Sequence, residues 1–135
     1  MYRFPNIENN EWFEKYNSLV AEIEAKADYY KEYKKTQPKR NDKNPDCWKD
    51  SLAITIHHII PKSIDKSLEK DKENLLYVPF VEHCQLHYYL WKGDKSYASQ
   101  LWWICVAGRK LGKWQLPGGE TEYEQLKKDL KQKKL

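Results

Sequence analysis

Apolar residues recur at helical spacing over the first part of the chain. Trp12, Tyr16, Leu19, Val20, Ile23, Ala27 and Tyr30 form one stripe with charged residues between them. This predicts a single long amphipathic helix from Asn10 to about Lys35. Asn9 or Asn10 supplies its N-cap, after an irregular lead-in. The period then changes. Ile54 to Ile60 is rich in β-branched residues and stops at Pro61, which cannot donate to a sheet ladder, so it reads as a short strand. Leu75 to Val78 is a second short apolar run closed by Pro79. The polar stretch between them, Lys62 to Asn74, is long for a tight hairpin and predicts a shaped loop. Val81 to Trp91 returns to helical spacing, with a proline before it and Gly93 after it. Tyr97, Leu101, Trp102, Ile104, Cys105 and Ala107 predict another helix, in which Trp102 and Trp103 are expected to pack inward rather than stack on bases. Leu116-Pro117-Gly118-Gly119 breaks the chain, and Thr121 with Glu124 offers a capping box for a last helix from Glu122 to about Lys133.

These elements predict an α+β fold, mostly helical, in one domain of 135 residues. Residues 1–50 hold the N-terminal helix and a basic loop, 51–92 a strand-strand-helix core, and 93–135 a helical, basic extension. The connector Lys34 to Asp50 is polar, with two prolines and several Asn and Asp residues. From Lys31 to Lys49, seven basic residues face three acidic ones, which suits either a phosphate backbone or a solvated linker.

All four histidines of the chain lie between Ile54 and Tyr89, as His57-His58 and the pair His83 and His87. Neighbouring side chains on a strand point to opposite faces, so His57 and His58 are expected to do different jobs. His83 and His87 stand four apart on one helical face, within reach of a common ion. One divalent metal held by neutral imidazole nitrogens would then leave one strand histidine to take a proton from water. The plain alternative is that His83, Leu86, His87 and Leu90 form a core stripe. The two histidine pairs together favour metal binding.

The ordered set His57-His58-Ile59-Ile60-Pro61, Asn74-Leu75, Glu82-His83 and His87 resembles the HNH endonuclease family, and in particular its small phage-type and homing-type members. The resemblance covers about Ile54 to Trp91. It implies a ββα-metal unit, here packed against flanking helices. It implies that His57, His83 and His87 are metal ligands, that His58 is the general base, and that Asn74 braces the loop and holds the base in orientation. The activity implied is hydrolysis of DNA phosphodiester bonds, with one divalent ion (Mg2+, Mn2+, Zn2+ or Ni2+) offsetting charge on the phosphate and leaving 3′ oxygen. The family's helix lies against the minor groove, which would put Gln85 or Tyr88 near DNA.

Composition alters this picture modestly. Net charge is +4, with pI about 8.8 and mean hydropathy −0.96. Arg109 to Leu135 carries eight Lys or Arg against four Asp or Glu. Lys62, Arg109, Lys110 and Lys113 are therefore the candidate contacts to DNA, expected to be double-stranded, and a frayed, solvated tail is the competing reading of the C-terminal segment. Cys47, Cys84 and Cys105 are widely spaced and form no CxxC pair, so a disulfide framework or a second zinc site is not expected. Cys84 reads as a small buried hydrophobe. No apolar run reaches transmembrane length and the N-terminal residues do not read as a signal peptide, which predicts a soluble, cytoplasmic protein without a membrane partner. Two rival functions stand beside the nuclease. One is an inactive HNH-like module binding DNA or protein, such as a phage-encoded inhibitor of a host system. The other is a structural zinc site closed by four histidines.

Overall fold

The computed structural model describes residues 2–6, 8–37 and 53–133, and over these the fold is mostly helical with one two-stranded antiparallel sheet. The basic connector falls outside the described residues from position 38 onward, and so does Cys47.

Asn10 caps the first helix, α1 (Glu11–Glu24), by accepting the Trp12 N–H at 2.9 Å. Its amide also donates to the Gly93 carbonyl at 3.1 Å, tying the start of α1 to the end of a helix 83 residues later. A Cβ at Gly93 would overlap the Phe13 ring, so any other residue here requires that ring to move. The expected single helix is in fact two. The Lys26 N–H closes on the Ile23 carbonyl at 2.9 Å, one residue tighter than an α-helix, and the chain restarts as α2 (Ala27–Lys35). No glycine or proline marks the break, and Ile23 and Tyr30 still reach one core cluster on either side of it.

Strand β1 (Ile54–His58) pairs with β2 (Leu75–Pro79), with Ile54 opposite Pro79 and His58 opposite Leu75. The loop between them is shaped by two short 3-10 turns, Lys66–Leu68 and Lys72–Asn74. Each is opened by an aspartate: Asp65 accepts the Ser67 N–H and Asp71 the Glu73 N–H, both at 3.0 Å. The next element, α3 (Phe80–Gly93), follows β2 without a linker.

Helix α3 joins every layer. Leu86 and Leu90 pack with Tyr16, Val20 and Ile23 of α1 and with Ile54, Leu76 and Val78 of the sheet. Tyr88 and Trp91 pack with Leu101 and Cys105 of α4 (Ala98–Lys110) and with Tyr123 and Leu126 of α5 (Glu120–Lys133). Phe80 and Cys84 form a third cluster with Ala53. Cys84 is fully buried, and burial raises its thiol pKa well above the usual range, so it behaves as the small hydrophobe expected.

Toward the C-terminus the boundary of α5 and the packing of Trp103 differ from the sequence reading, and the competing reading of a frayed tail is not met. Helix α5 begins two residues early, so Thr121 lies inside it. The carboxylate that reaches back is Glu122, which accepts the Gly118 N–H and the Tyr88 hydroxyl and pairs with Lys92 at 3.3 Å. The C-terminal helix is docked rather than frayed, because the buried Trp91 indole donates to Asp129 at 2.8 Å. And Trp103 does not pack inward. It is 79% exposed, while its neighbour Trp102 is half-buried. The docking of α5 can be measured. Leu126→Ala removes a fully buried side chain and should lower unfolding free energy in guanidinium by about 2–5 kcal/mol. A loss below about 0.5 kcal/mol would mean that α5 adds no core.

Candidate metal centre

Strand alternation and helical spacing bring three imidazoles together. Thr55 and His57 face α3 from β1, and α3 presents His83 and His87 one turn apart. The ring centroids of His57, His83 and His87 are 4.9 Å apart in all three pairs. One nitrogen from each ring lies within 4.8 Å of the others. The Nε2 atoms of His83 and His87 are 3.2 Å apart. Two nitrogens each about 2.0–2.1 Å from a tetrahedral ion stand about 3.3 Å apart, so the spacing fits one.

Two hydroxyls determine which nitrogens are available. Tyr16 is buried at the centre of α1, and burial holds its phenol pKa well above the usual value, so its oxygen keeps its proton. That proton goes to the Ile59 carbonyl at 2.7 Å. The 2.6 Å contact between Tyr16 Oη and His57 Nε2 is therefore donated by the ring, and His57 keeps its lone pair on Nδ1. Thr55 repeats the device. Its Oγ1 donates to the Val78 carbonyl at 2.9 Å and accepts from His83 Nδ1 at 2.8 Å, leaving the His83 lone pair on Nε2. That nitrogen faces His87 Nε2, and without an ion His87 must supply the proton between them. His87 Nδ1 is enclosed with no hydrogen-bond partner among the described residues. These donors fit a cation bound through nitrogen.

His58 is held apart. It sits on the other face of β1 and donates Nε2–H to the Glu69 carbonyl at 3.0 Å, so its neutral form carries the lone pair on Nδ1. All four histidines nevertheless line one cavity of about 260 Å³, together with Lys62 and Glu69. Asn74 does not line it. Fully buried, Asn74 accepts the Ile60 N–H at 2.8 Å and donates to the Ile60 carbonyl at 3.1 Å and the Leu68 carbonyl at 3.3 Å. It clamps the loop one residue before the carbonyl that orients His58. Asn74 thus braces the loop between β1 and β2.

Burial favours the neutral form of His57 and His87. Burial, reinforced by the other three histidines, pushes the His57 pKa well below 6.5. Burial and then His58 push His87 down to about 4.

The candidate DNA contacts divide. Lys62 lines the cavity and lies 3.6 Å from Glu69, with its side chain more than half exposed. Arg109, Lys110 and Lys113 cluster at the end of α4 and do not line it. Arg109 pairs with Glu120 at 2.8 Å and stacks on Tyr123. The expectation for Tyr88 fails, because it is buried and held by Glu122, and Gln85 is half-buried and donates to Tyr89. Tyr16 and Thr55 were missed as site residues. Tyr16 carried only a core-stripe signal, and Thr55 shared the strand face of His57. No family model, no curated protein and no solved structure matches this chain.

Tyr16→Phe removes the acceptor that orients His57 and should weaken zinc binding about tenfold to a hundredfold by calorimetry. Thr55→Val should act in the same direction, and unchanged affinity in both would contradict the tautomer assignment. Acid stability gives a separate test. Because the folded pKa of His57 and of His87 is depressed, their stabilising effect is complete above about pH 6.5. It is lost as pH falls, for His87 down to about 4. In chelator, guanidinium unfolding should show stability dropping from pH 7 to pH 5 by up to about 1.4 kcal/mol per pH unit for each histidine. A flat profile would mean that the rings are solvated.

Proposed function

We propose that this chain is a metal-dependent endonuclease of the HNH type that hydrolyses DNA phosphodiester bonds. The observation that carries the reading is the division of four histidines on one cavity. Three offer one nitrogen each within 4.8 Å of the others, while the fourth lines the same cavity and bonds the Glu69 carbonyl through Nε2, which puts its neutral lone pair on Nδ1. A two-stranded hairpin running into a helix that bears the second histidine pair is also the arrangement a ββα-metal unit requires. Three ligands leave a tetrahedral ion one open position, which favours catalysis over a structural site closed by four histidines.

In this reading His58 Nδ1 takes a proton from the water that attacks the scissile phosphate. The ring then becomes an imidazolium, and its Nε2–H bond to the Glu69 carbonyl strengthens with the charge. Asn74 keeps that carbonyl in place by clamping Ile60 and Leu68. The bound ion would supply positive charge against the phosphate and the leaving oxygen. His57, His83 and His87 would hold it, and their all-nitrogen set suits zinc or nickel better than magnesium, which prefers oxygen. Lys62 stands at the cavity to pair with a phosphate, exchanging its contact with Glu69.

The experiment is cleavage of supercoiled plasmid DNA with zinc, nickel, manganese or magnesium, and with chelator. Cleavage should need an ion. His58→Ala should keep metal affinity and lose about two to four powers of ten in single-turnover rate. His57→Ala should lose metal affinity instead. A His58→Ala protein that binds metal and cuts at the parental rate would remove His58 from the chemistry.

A further inference from the structure

A second groove opens from the same two helix histidines. It occupies about 440 Å³ and is lined by Thr55, Phe80, His83, His87 and one face of α4: Gln100, Trp103, Ile104 and Ala107. These four positions fall at i, i+3, i+4 and i+7, a single helical stripe. Ile104 and Ala107 pack against the Phe80 and Cys84 cluster and give the groove an apolar floor. Trp103 forms a wall and is 79% exposed, the most exposed large apolar side chain among the described residues. Gln100 stands where this groove meets the histidine cavity and lines both.

An indole wall, an apolar floor and one carboxamide match a flat ligand with apolar faces and a polar edge. A nucleobase has that chemistry. Continuity with the histidines says where such a base comes from. A phosphodiester brought to an ion on His57, His83 and His87 would carry a nucleoside on each side, and the groove begins at His83 and His87. Bases stacked in an intact duplex do not offer a free face to an indole, whereas an unpaired base does.

We propose that the Trp103 groove binds an unstacked base next to the scissile phosphate, so that the substrate class is single-stranded or locally unpaired DNA. This rests on the nuclease reading of the histidine centre. Trp103 stacks on the base, and Gln100 supplies a donor and an acceptor to its edge.

The test measures binding of a short labelled single-stranded oligodeoxynucleotide, and of the same sequence as a blunt duplex, in chelator so that nothing is cut. Trp103→Ala should weaken single-strand affinity about tenfold and duplex affinity little. Trp103→Phe should keep most of the affinity, because it keeps an aromatic face. Trp103 is exposed, so the variants should fold, which circular dichroism checks. Equal single-strand affinity in wild type and Trp103→Ala would overturn the proposal, as would equal losses on single strand and duplex. A Trp103-dependent dimer with no effect on oligonucleotide would also overturn it and make the groove a contact between copies. Metal-dependent cleavage by the wild type, measured on a single-stranded DNA circle as well as on supercoiled plasmid, keeps the two readings separate. Cleavage without a Trp103 effect on binding sinks only the base site. Trp103-dependent binding without any metal-dependent cleavage sinks the nuclease, and with it the scissile phosphate beside the groove, and leaves only single-strand binding at Trp103.

Discussion

Three imidazoles stand with centroids 4.9 Å apart, His57 fully buried among them, and much of this structure favours the neutral form of His57 and His87. A buried imidazolium there would face desolvation and two like neighbours. Neutral rings in turn need partners for one nitrogen each. Tyr16 and Thr55 meet that need with hydroxyls whose own protons are already given to backbone carbonyls. The same bonds leave the lone pair of His57 on Nδ1 and that of His83 on Nε2. Neutrality and readiness to bind a cation are thus one arrangement.

The architecture follows from where those partners must stand. Tyr16 must come from α1, so α1 lies across α3 and is fastened at its start through Asn10 and Gly93. Thr55 and His57 share a strand face, so β1 supplies one imidazole of the cluster and the hydroxyl that orients another. Strand alternation sends His58 to the opposite face, where its partner is a loop carbonyl. Two adjacent residues acquire different protonation geometry without any difference in side-chain chemistry. Asn74 connects the two sides of the hairpin, since its bonds to Ile60 and Leu68 determine where that carbonyl sits.

Much of this was legible from local pattern. The β-branched run Ile54–Ile60, the proline stops and the i, i+4 histidines express short-range rules of backbone and spacing, so the hairpin, the helix and the His83–His87 pair could be read directly, whereas the choice of His57 over His58 as the third came only from the resemblance. The long-range hydroxyl bonds could not. Tyr16 meets His57 across 41 positions, and nothing local distinguishes it from the other residues of the α1 stripe. The break between α1 and α2 carries no glycine or proline, and its apolar stripe runs through unchanged. Trp103 misled for a related reason. Its neighbour Trp102 lies toward the core, and one step of about 100° along a helix turns the next side chain away.

The account depends most directly on where the histidine protons are. Long-range proton–nitrogen correlation spectra of the ion-free protein, with histidine ring nitrogens labelled, report the tautomer of each ring. The bonds described here require the proton on Nε2 in His57 and His58 and on Nδ1 in His83 at neutral pH. If His57 or His58 instead carries its proton on Nδ1, or if the three clustered rings are protonated on both nitrogens, the site is neither aimed at a cation nor supplied with a base.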